Sequence, residues 1–245
     1  MLSLSVDIWR PVVSGGSQSL TAKVQALFAS RNGGMWDMGD TATLFQDAAG
    51  ATPVTAVTQP IGRVNDKSGN GNHATQPTAG SRPLYQVVSS YGCAQFDAVD
   101  DALLFPAITF GGAFNTFVSG KVTGGTRGVH LWRTADAFNG FWAAYQSASG
   151  ATPTPAPGVG APSYAVNGTA LSPVTRGELY SRINGSDSVT ETTGIVLTAE
   201  TALQFGGYSG FQFQGNAHRV LMISGTLTAA EKLLCRQWAA QRATG

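Results

Sequence analysis

Charge is scarce in this 245-residue chain: 12% of the residues are charged, 15 basic against 14 acidic, for a net charge of +1. The lysines and arginines are scattered, which excludes a basic stripe for nucleic acid. Glutamate occurs only as Glu178, Glu191, Glu200 and Glu231, with no two at the spacing that puts a pair on one face of a strand. The strand-borne carboxyl pair that sandwich-type glucanases use is therefore missing. The three histidines, His73, His130 and His218, lie far apart and form no metal-binding array. Two cysteines, Cys93 and Cys235, make neither a disulfide framework nor a zinc site on their own. They read as small buried hydrophobes, with a bridge between them left open. No serine sits in a nucleophile elbow. The glycines of GGTRG (124–128) lack a phosphate loop's lysine and read as a hairpin turn. No apolar run approaches the length of a bilayer span, so no membrane insertion is expected. The opening MLSLSVDIWRPVV, broken by Asp7 and Arg10, does not read as a secretory signal.

What the chain does have is glycine (31) and proline (11) among 42% hydrophobic residues. That mixture is too apolar for disorder and too turn-rich for a coiled coil. Short apolar runs alternate with Gly, Asn and Pro clusters: LYQVV (84–88), CAQF (93–96), ALLF (102–105), TFVSGKV (116–122), GVHLW (128–132), GFWAAY (140–145), SYAV (163–166), ELYSRI (178–183), ALQF (202–205) and HRVLMI (218–223). Spacing of ten to fifteen residues between them predicts an all-β, two-sheet antiparallel jelly-roll sandwich. Within ELYSRI, Leu179 and Ile183 alternate with Tyr180 and Arg182, as in a strand. Residues 35–84 and 151–162 read as loop. Helices are predicted at both ends. One starts at Ser19 or Thr21, carries Leu20, Val24, Leu27 and Phe28 on one stripe, and stops at Asn32-Gly33-Gly34. The other has the capping box Thr228/Glu231, an apolar face of Leu234 and Trp238, and Arg236 and Arg242 toward its C-terminal end. Residues 1–18 form an arm, and 19–245 the sandwich.

Three clusters carry polar or aromatic chemistry. Asp97, Asp100 and Asp101 crowd FDAVDDALLF, where short carboxylates capping their own turn are a sufficient explanation. Asp66, Ser68 and Asn70, in a Gly-rich turn, form a candidate Ca²⁺ site without the bidentate terminal acid, and a self-capped turn accounts for the same residues. The aromatics gather in two places, around Trp132, Phe138, Phe141, Trp142 and Tyr145 with Asn139, and around Tyr208, Phe211 and Phe213 with Gln212, Gln214 and Asn216. Flat rings beside amides suit the apolar faces and hydroxyl rims of sugars. Trp132, Asn139, Trp142, Tyr145 and Tyr208 are the candidate carbohydrate-binding residues, and most of the aromatics are expected to fill the core.

Residues 26–85, with a Trp followed by acids, Leu44-Phe45-Gln46-Asp47, Thr52-Pro53-Val54, Gln59-Pro60, the Asp66-Lys67-Ser68-Gly69 turn with Gly71-Asn72-His73-Ala74, and Arg82-Pro83, resemble the opening of concanavalin A-like lectin/glucanase domains (laminin-G-like jelly rolls) of phage and prophage virions. FDAVDDALLF (96–105) is similar to that family's strand entry, with Ala98 where glycine is usual. Tyr164–Thr169 and the closing FQGNAHRVLMISGTLTAAEKLLCRQWAA are similar as well, so the resemblance covers residues 20–245. It implies a module of a virion fibre or spike that binds host-surface polysaccharide; the missing carboxyl pair and metal array lead to the expectation that the module is non-catalytic and without a resident cofactor. The resemblance further implies homotrimers, anchored through residues 1–18 to neighbouring virion proteins. The fold also hosts structural decoration or adaptor modules and glycan hydrolases, the latter here through Asp97, Asp100 or Asp101.

Overall fold

The run VLMI (220–223) is apolar on both of the faces a strand presents, so each face needs a cover. The computed structural model supplies both covers. It describes residues 18–124, 127–133, 142–145, 161–172, 174–196, 203–208 and 211–242, and for 127–133, 142–145, 207–208 and 211 the backbone only. The strand Gln214–Ser224 is buried along almost its whole length. It lies within a sheet ordered Thr169–Ala170, Ser163–Val166, Ser188–Ile195, Phe114–Val122, Gln214–Ser224, Tyr91–Asp97, Leu84–Val88. Its first half pairs with Tyr91–Asp97, and its second half with Gly33–Asp37 on the same side. The second sheet runs Trp142–Tyr145, Arg127–Arg133, Leu203–Phe205, Leu103–Leu104, Ala74–Thr75, Arg63–Val64, Leu44–Phe45. The paired strands within both sheets are antiparallel, as the sequence predicts.

Between the sheets lies an aromatic core. Trp36 packs on Phe105 with ring centroids 4.4 Å apart, and Phe96, Phe205 and Phe213 meet in tilted and edge-on pairs at 5.2 to 5.8 Å. Behind the first sheet, α1 (Leu20–Gln25) and α3 (Ala229–Ala240) form a third layer, with α2 (Arg176–Ile183) between them in the chain. Val24, Cys235 and Trp238 in that layer cover Met35, Phe117, Leu221 and Ile223 on the outer face of the sheet. A central strand covered on both faces reads as a continuous apolar run. Burying Trp238 alone is worth about 3 kcal/mol.

The helical ends follow the predicted chemistry. The Ser19 hydroxyl accepts the Ala22 N–H at 3.2 Å, and the Thr228/Glu231 capping box is complete. The first helix tightens into a 3₁₀ turn over Ala26–Ser30 and ends before the glycines. Arg236 and Arg242 find carboxylates on the sheet side, Glu191 at 2.5 Å and Asp187 at 2.9 Å, in addition to any helix-dipole gain.

Three expectations change. ELYSRI belongs to the helix α2, because Thr175 caps it at Glu178, Glu178 bonds Arg182 one turn on, and Leu179, Tyr180 and Ile183 then share its buried side. Strands Phe114–Val122 and Arg127–Arg133 lie in different sheets, so GGTRG links the layers and closes no hairpin. The stretch read as loop from residue 35 opens inside the strand Gly33–Asp37. Gly33 has a φ of +138°, and a Cβ there would collide with the Met222 carbonyl, so only glycine lets this strand approach its partner.

Candidate functional site

The Asp66 turn is an anchor. One carboxylate oxygen of Asp66 accepts the N–H groups of Met35 and Ser68, both at 2.8 Å. The other accepts the Ser68 hydroxyl at 2.7 Å and the Asn72 N–H at 3.0 Å. The Asn70 and Asn72 amides donate to the Gly33 carbonyl, and His73 Nδ1 accepts the Asp66 N–H. These bonds splice residues 66–73 onto the strand Gly33–Asp37. The oxygens of Asp66 already serve four donors, so the geometry is that of a self-capped turn.

A second acidic turn follows the strand Tyr91–Asp97. Asp97 accepts the Val99 N–H at 2.8 Å, and Asp101 accepts the Asp97 N–H at 3.0 Å. Ala98 between them has a φ of +71°, the left-handed region, which explains why glycine is the residue expected there. The segment 76–82 clamps onto this turn. The Gln76 amide donates to the Ala102 carbonyl at 2.9 Å, the Ala102 N–H to the Ser81 carbonyl at 3.1 Å, and the Ser81 hydroxyl to Asp100 at 2.8 Å. Asp97, Asp100 and Asp101 each bring an oxygen within 4.8 Å of the others.

Asp101 is 7% exposed. Burial, followed by the charge of Asp97, pushes its carboxyl from 3.8 up to about 7, and a carboxyl-to-carboxyl hydrogen bond with Asp97 helps to hold the proton. The oxygens of the two carboxyls lie within 4.8 Å of each other. Glycosidic cleavage instead needs carboxyls that flank the bond, about 5 Å or more apart.

Beside this turn opens a cleft of about 510 Å³, within the usual range for a small-ligand site. Arg82, Gln95, Asp97, Asp101, Thr123 and Gln214 supply its polar lining, and Pro60 and Leu84 an apolar part. The Arg82 guanidinium donates through Nε to the Gln76 carbonyl at 2.9 Å and through Nη2 to that of Pro77 at 3.0 Å, which fixes its plane. No hydrogen bond among the described residues engages the side-chain amides of Gln95 and Gln214. Each offers a donor and an acceptor to a bound molecule.

The sequence singles out Gln214 beside the aromatics and Asp97 and Asp101 in their turn, and all three line this cleft. Gln95 and Arg82 come from other segments, and no local pattern points from one to the other. Phe213, of the second aromatic group, is core at 1% exposure. Trp132, Trp142 and Tyr145 lie on two paired strands, Arg127–Arg133 and Trp142–Tyr145, where Trp142 is opposite Leu131 and Tyr145 opposite Arg127. Tyr208 ends a short strand paired to Phe211–Gln212. The side chains of these four, and the whole of Asn139, lie outside the described residues, as do residues 1–17 of the arm. Cys93 and Cys235 are buried and free, and burial pushes both thiols up to about 12. No helix among the described residues is long and apolar enough to cross a membrane.

No protein family matches the chain by sequence, and no curated protein does. Among solved structures it is similar to a GH54 α-L-arabinofuranosidase soaked with a cyclic sulfate inhibitor, at a TM-score of 0.51 and 12% identity. The match takes in 92% of this chain but 66% of that one, just under two thirds of its length. A likeness at this identity is one of fold: a two-sheet sandwich that a glycosidase also uses.

Proposed function

We propose that the protein is a non-catalytic carbohydrate-recognition module. The observation that carries this reading is the cleft beside the acidic turn, lined by the amides of Gln95 and Gln214, which no hydrogen bond engages among the described residues, and by the fixed guanidinium of Arg82. Converging amides and a planar cation are what a ring of hydroxyls needs to be oriented. Trp132, Trp142, Tyr145 and Tyr208 are the rings we assign to stacking on sugar, with the Asn139 amide as a polar partner. Following the family resemblance, the module is carried on a phage fibre or spike and meets host-surface polysaccharide. Residues 1–18 hold it to neighbouring virion proteins, and a homotrimer multiplies weak single sites by avidity.

The acidic turn favours a second reading, a glycan hydrolase. The closeness of Asp97 and Asp101, whose oxygens lie within 4.8 Å, argues against it, because glycosidic cleavage needs carboxyls that flank the bond about 5 Å or more apart. A glycan array read together with adsorption to host cells tests the function. The module binds in both, and Trp142→Ala, folded by circular dichroism, loses the signal. Silence in both assays overturns glycan recognition in favour of a structural decoration or adaptor protein. Release of reducing ends from host polysaccharide overturns it in favour of the hydrolase.

A further inference from the structure

Resting on the reading of the cleft as a glycan site, we propose that it takes neutral or amino-bearing sugar chains and turns away chains that carry carboxylate, sulfate or phosphate. Donors, acceptors and charge in the lining set this preference. Asp97 and Asp101 line the cleft, and Asp100 stands within 4.8 Å of both. Among the described residues of the lining Arg82 is the one cation, and two of its N–H groups are spent on the Gln76 and Pro77 carbonyls. The Gln95 and Gln214 amides take either role and add no charge. The site is therefore rich in acceptors, and a ligand satisfies it by bringing hydrogens, as hydroxyls and ammonium groups do.

An anionic group entering the same space meets the carboxylates of Asp97 and Asp101 in the lining. Such a like-charge approach discriminates between ligands without any specific contact. The discrimination has a pH dependence. Asp101 loses its proton near pH 7, so the cleft is more negative at pH 8 than at pH 6. The charged groups acting on Asp101 are Asp97 and Asp100, and Arg82 lines the same cleft.

The test measures binding of four probes, chitosan oligosaccharides, dextran, dextran sulfate and polygalacturonate, together with a glycan array divided into neutral, amino and acidic chains. Neutral or amino chains are expected to supply the array signal. Polygalacturonate and dextran sulfate bind at least tenfold more weakly than the best neutral or amino chain, and the gap widens from pH 6 to pH 8. Asp100→Asn narrows it. If that variant does not fold, a salt titration of the unaltered protein serves in its place, with binding of an ammonium-bearing chain falling as NaCl rises. An acidic chain bound as tightly as the best neutral or amino chain overturns the selectivity and leaves glycan recognition standing. Binding of no chain overturns glycan recognition itself, and the selectivity with it.

Discussion

Replacing Asp101 by asparagine should make the protein more stable, and only above the ordinary carboxylate range. The folded state holds the Asp101 proton up to about pH 7, against 3.8 for the free side chain. A group whose folded pKa is raised contributes stability that is fully present below the unfolded value. That stability is lost as pH rises through the folded value. At 1.36 kcal/mol for each pH unit the loss approaches about 4 kcal/mol by pH 8, an upper bound because cleft water screens the neighbouring charges. In Asp101→Asn the new side chain keeps the acceptor that the Asp97 N–H uses and offers its amide hydrogens to the Asp97 carboxylate, so it imitates the protonated acid at every pH. Unfolding by guanidinium at pH 4 and pH 8 reads the difference. The variant should match the parent at pH 4 and exceed it by about 2–4 kcal/mol at pH 8, a rise in Tm of several degrees. Equal stability at pH 8, or a gain of the same size at pH 4, would refute the assignment of a buried proton to Asp101.

Three further outcomes follow from the packing. Gly33→Ala puts a Cβ against the Met222 carbonyl and forces an L residue to φ +138°, so it should cost upwards of about 3 kcal/mol or abolish soluble expression. A mild effect would mean that Gly33–Asp37 is not held at the registered distance from the central strand. Thr228→Ala removes the cap of α3 and should lower stability by about 1 kcal/mol in denaturant titrations, with no change in binding. Cys93 and Cys235, with thiols pushed up to about 12, should resist a disulfide reagent at pH 8 in the native protein and react after denaturation. Rapid native labelling would contradict their burial.

The sandwich was legible because its strands punctuate themselves: LYQVV and SYAV coincide with Leu84–Val88 and Ser163–Val166. The closing helix was legible because Thr228 and Glu231 stand at the spacing of a reciprocal cap. Two local patterns misled. ELYSRI fits a period of two as well as a helical turn, and only the Thr175 cap and the Glu178–Arg182 pair, read together, tip it to helix. Gly33-Gly34 reads as a breaker, yet the same absence of Cβ lets a strand seat against Met222. The site was harder. Arg82, Gln95, Asp97 and Gln214 come from separate segments, and neither periodicity nor motif encodes that antiparallel pairing brings Gln214 opposite Asp97. The acidic turn stood out by composition, and its self-capping was foreseen. The upward push on Asp101 was not, because it depends on burial by the 76–82 clamp.

The central claim is that the cleft amides hold a glycan. The most direct measurement is the affinity of the strongest array glycan for the parent protein and for the Gln95→Ala/Gln214→Ala variant at one pH and salt. The account predicts at least a tenfold loss, about 1.4 kcal/mol, with Tm unchanged. An unchanged affinity in a folded variant would contradict it and move the site away from the cleft.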